Sequence, residues 1–488
     1  MPAATPTQAE SAPPPGADPP GAAPPRERAA VLAAACAAAF LAPFMGSAIN
    51  VAIPTIGAEM HASAVTLNWV VTSFLVASAA LLLPFGRAGD LWGRKRVFVA
   101  GMLVNAGASA ASALARTPAV LVACRIVHGA GAAMGFATAI AILTSVFPAR
   151  ERGRVLGISS AATYTGLSLG PVLGGLLTQH LGWRSIFLVN GAVALAVAAI
   201  AVAAVRGEWF GARGERFDAP GAALSACGLA LLMAGISALR SHPAARFAVL
   251  AGAAAIAAFV VRELRAGHPL LDLRIFRNLT FAFSNLAALI NYASTFAVSF
   301  LLSLYLQSVR GLEPQAAGLV LLAQPLVMAL LSPLAGRLSD RVEPRLVATA
   351  GMALTSAGLA TFVTVGAATA IWVVVAELML VGLGFALFSS PNTNAVMSSI
   401  DRRFYGVGSA TLGTMRLVGQ AMSMSLAGLI FAGRMGARGI GRESAGLLLG
   451  SIHTAFALSA ALCLLGVFAS AARGRVARHD REAATRTG

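Results

Sequence analysis

The sequence predicts an all-α polytopic membrane protein, and three observations carry that prediction. Fourteen long apolar runs lie between Ala29 and Gly474. Hydrophobic residues make up 57% of the 488 and charged ones only 11%. The runs are also continuous rather than alternating. About 20 helical residues cross roughly 30 Å of hydrocarbon, so each run is long enough to span. A membrane barrel would instead alternate in polarity over segments of roughly ten residues.

The spans fall near 30–54, 68–86, 97–115, 118–141, 155–178, 185–205, 219–239, 246–262, 280–306, 316–336, 346–365, 369–390, 406–432 and 448–472. Most of the 36 Lys and Arg lie in the tails and the even-numbered loops. This positive-inside bias puts both termini in the cytoplasm, in an inner or plasma membrane. It also accounts for the formal charge of +17 without a nucleic-acid partner, leaving generic contacts with the lipid bilayer. Residues 1–28 are rich in Pro and Ala, lack an apolar core and read as a disordered cytoplasmic tail rather than a signal peptide. All four cysteines sit inside apolar runs, at spacings that suit neither a disulfide framework nor a zinc site.

The chain repeats itself. Residues 86–96 read G-R-A-G-D-L-W-G-R-K-R after span 2, and Gly336 to Arg341 reads G-R-L-S-D-R after span 10, an offset of 250. Further on the offset is 253: Gly129 and Gly131 match Gly382 and Gly384, and Gly166 and Gly175 match Gly419 and Gly428. The expected organisation is therefore a tail (1–28), a six-span half (29–205), two inserted spans with their linkers (206–279), a second six-span half (280–472) and a basic tail (473–488). Halves that both begin inside are related by an axis along the membrane normal, an arrangement of transporters with a midplane site.

Several residues are costly where they stand. Glu377 lies about eight residues into span 12, where an acid costs on the order of 2.5–3.5 kcal/mol on insertion scales. Arg125 lies about seven residues into span 4, roughly 10 Å deep at 1.5 Å per residue. His128 is one turn further on and can share its face. The 253 offset aligns Glu377 with Cys124, next to Arg125, so the two charges are expected to approach one cavity from opposite sides. Glu377 then reads as a proton-exchange site, a structural acid paired with another helix, or a cation ligand. In loop 2–3, Gly86 and Gly93 permit a tight turn, and Asp90 can pair with Arg94 or with a cation of the other half. Gly170-Pro171 removes a backbone donor within span 5 and bends it, while Gly166, Gly174 and Gly175 allow close packing.

These residues resemble the major facilitator superfamily, specifically its fourteen-span drug:proton antiporters, over essentially the whole chain after the tail. Gly86 to Arg96 is similar to the signature G-x-x-x-D-x-x-G-R-[KR]-[KR], and Arg125-Ile-Val-His128-Gly129 to R-x-x-Q-G with His in place of Gln. Gly166 to Gly175 matches the span 5 antiporter signature; Trp183-Arg184, Phe187, Asn190, Phe217-Asp218 and Pro391-Asn392-Thr393 are also typical. The resemblance implies a latch formed by Gly86, Asp90, Gly93, Arg94 and Asp340, a role for Arg125 in proton coupling, and export rather than import. His128 is then either a hydrogen-bonding stand-in for Gln or a titrating group. The span 1 pattern L-D-x-T-x-x-N-V-A-[LI]-P departs, because Met45 stands where the acid belongs. The usual proton carrier is absent, and Glu377 becomes the leading substitute.

The function expected is export of small lipophilic or amphipathic compounds by alternating access, coupled to proton influx, with no cofactor, no catalysis and no second copy required. Asn50, Asn291, Tyr292, Gln324, Asn392 and Arg416 are the polar residues expected at the substrate cavity. No phosphate-binding loop points to ATP. The alternatives are an exporter or uniporter not coupled to protons and, in a different class, a non-transporting membrane sensor or scaffold.

Overall fold

In the computed structural model, residues 24–473 are described apart from 213, 240–242, 268, 272, 401–404 and 437–443. Residues 1–23 and 474–488, most of both expected tails, lie outside the described residues. Each expected span is a helical rod, in order Pro25–Met60, Ala64–Trp92, Arg94–Ala113, Pro118–Val146, Ala149–Leu181, Arg184–Ala204, Ala219–Ala238, Ala245–Glu263, Leu279–Val309, Pro314–Ser339, Pro344–Thr361, Ile371–Ser398, Tyr405–Arg434 and Ala445–Ala472. Among the described residues twelve of these are long and apolar enough to cross a membrane. Spans 3 and 5 fall short of that measure of the expected fourteen. Span 3 opens on Arg94-Lys95-Arg96, and span 5, past its charged first turns, is diluted by Gly, Ser and Thr between Gly157 and Thr178.

Caps set the helix starts. Ser63 accepts from Thr66 N at 3.2 Å, Thr117 from Val120 N at 3.4 Å ahead of Pro118, and Asn278 from Phe281 N at 3.1 Å, each satisfying a first-turn donor. Span 1 starts at Pro25, earlier than the tail boundary at 28 allowed, because Pro suits the first helical turn and Glu27 has partners. Glu27 Oε1 accepts from the backbone N–H groups of Arg206 and Gly207, both at 2.8 Å.

Span 7 is capped by Asp218, whose carboxylate accepts from Gly221 N at 3.0 Å and from Arg262 at 2.7 Å. Arg262 beside it, and then the cap, hold this carboxyl below its ordinary value. A depressed carboxyl contributes stability above the unfolded-state pKa, and that contribution is lost as pH falls through the folded one. Asp218→Ala is therefore expected to lower the thermal midpoint at pH 7 by the equivalent of about 1 kcal/mol, the usual worth of such a cap. The difference from wild type should shrink as pH falls through the carboxylate range. A midpoint deficit independent of pH would contradict this.

Packing pairs recur in the two halves. Span 1 lies along span 5 and span 9 along span 13; span 4 packs on spans 2 and 3, and span 12 on spans 10 and 11; span 6 packs on spans 3 and 1, and span 14 on spans 11 and 9. Between the halves, span 2 meets span 13 and span 5 meets span 10. Spans 7 and 8 pack on each other, and span 7 rests on spans 2 and 13.

The sequence-matched glycines explain these pairs, because helices approach closely where no Cβ intervenes. A Cβ on Gly129 would lie 2.4 Å from Phe74 O of span 2, and one on Gly382 would lie 2.6 Å from Gln324 O of span 10. Gly131 abuts Asn105 N of span 3 and Gly384 abuts Thr355 N of span 11, at 2.7 and 2.6 Å. Gly166 meets Phe40 O of span 1 at 2.4 Å, and Gly419 meets Leu289 O of span 9 at 2.5 Å. Gly175 and Gly428 face the opposite half, at 2.5 Å from Pro314 O and from Asn68 Nδ2.

Candidate functional site

Eight spans surround a central cavity of about 150 Å³. Spans 1, 2, 4 and 5 line it from one half, and spans 9, 10, 12 and 13 from the other. Two of these helices break at its wall. Span 9 is interrupted at Phe296, and the freed Ala297 N donates to Ser423 Oγ at 3.1 Å. Span 10 is interrupted at Leu322, where Pro325 withholds a backbone donor.

Four of the expected cavity residues, Asn50, Tyr292, Gln324 and Arg416, line it, joined by Gln420, Tyr164, Ser299 and the rings of Phe74, Phe136 and Phe385. Tyr292 and Phe385 stack edge to face at 5.4 Å. The Arg416 guanidinium lies 5.3 Å over the Phe136 ring. Asn291 and Asn392 do not line the cavity. Asn291 is fully buried within the second half with neither amide atom bonded. Asn392 accepts from Arg473 at 2.8 Å and donates to Ser284 O at 3.1 Å. Buried Arg473, read from sequence as tail, thereby clamps the end of span 14 to spans 9 and 12.

Arg125 and His128 come together, as their one-turn spacing implied. Arg125 is fully buried, donates from Nε to Val70 O at 3.1 Å and lies 4.2 Å over the Phe74 ring. Its Nη1 stands 3.1 Å from His128 Nδ1. A guanidinium only donates, so Nδ1 accepts; the other ring nitrogen, Nε2, lies 3.2 Å from Asn190 Nδ2. His128 thus supplies an acceptor to Arg125. Asn190 in turn donates to Asn105 Oδ1 at 2.8 Å and Ser109 Oγ at 2.9 Å, tying spans 3, 4 and 6.

Glu377 stands elsewhere. It is buried in span 12 beside Thr361 of span 11, in electrostatic range of Tyr305 of span 9, and its Oε2 has no hydrogen-bond partner. Neither Glu377 nor Arg125 is among the cavity-lining residues, so the expected approach to one cavity from opposite sides is not what the structure has.

At the turn of loop 2–3, Gly93 has φ 110°, a conformation that favours glycine. Asp90 Oδ1 accepts from Arg94 Nε and Nη2 at 2.9 and 2.7 Å, and Arg94 Nη1 donates to Ser145 Oγ at 2.6 Å and Ala141 O at 3.1 Å of span 4. A Cβ on Gly86 would lie 3.8 Å from Ala137 Cβ of span 4. The side chain of Asp340, the matching acid, lies outside the described residues. The linker after span 6 straps this cluster, which the sequence did not suggest. Glu208 accepts from Lys95 N at 2.8 Å, Glu215 pairs with Arg87 at 2.5 Å, and Gly211 N and Ala212 N donate to Asp90 O, both at 3.1 Å.

The span 5 glycines divide between two neighbours. Gly166, Gly170 and Gly174 seat span 1, with Cβ positions 2.4, 2.3 and 2.6 Å from Phe40 O, Ser47 Cβ and Ala48 Cα. Gly175 and Pro171 face span 10, where Gly318 answers with a Cβ position 2.1 Å from Pro171 O. On that side Gln179 donates to Glu313 at 2.9 Å and accepts from Gln315 N at 3.3 Å. Gln307 Nε2 donates to Val51 O at 2.8 Å, also across the halves.

The sequence model of the Major Facilitator Superfamily matches residues 35–283 and 284–487. The cephamycin export protein CmcT of Amycolatopsis lactamdurans is 34% identical over 405 residues, covering 81% of this chain and 83% of that protein. The multidrug resistance protein Stp of Mycobacterium tuberculosis (strain CDC 1551 / Oshkosh) is 30% identical, covering 79% and 72%. The riboflavin transporter RibZ of Clostridioides difficile (strain 630) is 28% identical, covering 82% and 88%. Among solved structures, a bacterial homolog of the human lysosomal transporter Spinster, inward-facing and unoccupied, superposes with a TM-score of 0.68 at 14% identity, covering 92% of this chain and 98% of that one. With fold, repeated packing and a central cavity in hand, the chain belongs to the Major Facilitator Superfamily: it is a multi-pass membrane transporter, similar to proteins named for drug resistance and antibiotic export.

Proposed function

We propose that this transporter exports small lipophilic or amphipathic compounds by alternating access, with proton influx as the driving reaction and both termini on the cytoplasmic side of the cell membrane. The observation that carries the reading is the cavity at the junction of the two halves, bordered on the side of loops 5–6 and 9–10 by the contact of spans 5 and 10. Such a contact, made by glycines against backbone, holds in one arrangement and parts in another. Export rather than import is supported by the Gly170-Pro171 signature and by relatives named for export and resistance. The membrane potential is an adequate driver, since one charge through 100 mV supplies about 2.3 kcal/mol.

Cross-linking tests the mechanism. Gln179→Cys with Gln315→Cys, joined by a short bis-maleimide, should reduce transport in proteoliposomes at least tenfold. Either single variant treated alike should retain it. Unimpaired transport by the cross-linked protein would sink alternating access at this contact.

A second reading, export without proton coupling, is favoured by two observations. Met45 is fully buried where the resemblance calls for an acid, and no Asp or Glu lines the cavity among the described residues.

A further inference from the structure

We infer that the compounds this transporter takes are aromatic organic anions, held by Arg416 in the central cavity. The inference rests on the proposed role of that cavity as the substrate site. Among the described residues Arg416 is the one charged side chain that lines it. It lies eleven residues past the start of the helix Tyr405–Arg434, about 16 Å along the axis at 1.5 Å per residue and remote from either end. A guanidinium so placed cannot reach an interface as an end residue can.

Its own surroundings leave it without an anion. The Arg416 Nε is buried and has no hydrogen-bond partner, and no carboxylate pairs with it among the described residues. What it has is the Phe136 ring beneath it and the Tyr292 hydroxyl beside it. A cation kept in a low-dielectric cleft without a counter-charge attracts an anion strongly and repels a second cation. A carboxylate, sulfonate or ionised phenol would complete its hydrogen bonds, in the forked geometry that arginine offers.

The remaining wall describes the rest of the ligand. Asn50 and Ser299 line the same cavity, and their Oδ1 and Oγ are buried without partners, so a few polar substituents can be met there once these side chains turn to them. The rings of Phe74, Phe385 and Tyr292 give flat apolar surfaces for an aromatic system. A neutral lipophile would leave the guanidinium unpaired. A lipophilic cation would meet its repulsion with no acid to offset it.

A charge series on one ring system tests this. The full chain in detergent is titrated at pH 7 with 1-naphthoate, 1-naphthamide and 1-naphthylmethylammonium, and binding is read by calorimetry and by the thermal midpoint. Wild type is expected to bind the anion at least tenfold more tightly than the neutral amide, and the cation most weakly. Arg416→Gln should erase that order, and Arg416→Lys, which keeps the charge, should keep the order at lower affinity. The inference is overturned if the cation binds as well as the anion, if none of the three binds, or if the order survives in Arg416→Gln. Because this assay reads binding and the cross-linking assay reads transport, the two readings fail separately.

Discussion

Gly318→Val is expected to reduce transport at least tenfold and to open the side of loops 5–6 and 9–10. The physical reason is the 2.1 Å separation between a Cβ at this position and Pro171 O, a backbone atom that no rotamer change can move. Overpacking of this kind costs roughly 1–3 kcal/mol, and here the cost falls only on the arrangement in which spans 5 and 10 touch. At 1.4 kcal/mol per decade the balance shifts about five- to hundredfold away from that arrangement. Labelling of Gln315→Cys by a membrane-impermeant maleimide should therefore rise in the Gly318→Val background. Gly446→Val is the control, since a Cβ there meets nothing within 4 Å. Wild-type transport by Gly318→Val would remove this contact from the cycle.

That contact also shows what the sequence could reveal. Glycines matched at a constant offset marked the repeat, and in the structure Gly129/Gly382, Gly131/Gly384 and Gly166/Gly419 make equivalent approaches within their halves while Gly175/Gly428 make them across the halves. The pairing of Arg125 with His128 was legible, since one helical turn fixes a shared face. Misjudged was the meeting of Arg125 with Glu377. The offset aligns Glu377 with Cys124 and Arg125 with Leu378, and adjacent helical residues point about 100° apart. Glu377 therefore faces Thr361 and Tyr305, while Leu378 occupies the fully buried position that Arg125 has in the other half. Glu208, Glu215 and Arg473 were beyond reach for another reason. Linkers and chain ends carry no periodicity, and their partners are set by tertiary placement alone.

Glu377→Gln is expected to lower substrate-driven proton movement at least tenfold in proteoliposomes containing a pH dye, while binding of 1-naphthoate is unchanged. The second half of that expectation follows from position, because Glu377 is outside the cavity lining and a substitution there leaves the ligand's contacts intact. The first half follows from chemistry. A buried carboxyl with one oxygen unpartnered is costly as an anion and inexpensive as an acid, so its charge state answers to whether water can reach it. The route from that charge to the substrate need not run through the cavity. Tyr305, in range of Glu377, opens the π-turn Tyr305–Val309, its hydroxyl donating to Gly366 O at 2.8 Å. The same turn carries Gln307, which reaches across the halves to Val51 O. Ionising Glu377 would then act on a contact that belongs to one arrangement of the halves, which is what coupling requires: a ligand shifts an equilibrium only by its difference in affinity for the two states. A variant that still moves substrate downhill but no longer moves protons fits this arrangement. Proton movement that survives in Glu377→Gln would take the coupling away from Glu377. Wild-type export with no proton movement at all would make Met45 and the acid-free cavity wall the signature of a transporter driven by the charge of its own substrate. For an anion leaving a negative interior that drive has the favourable sign, about 2.3 kcal/mol per charge at 100 mV.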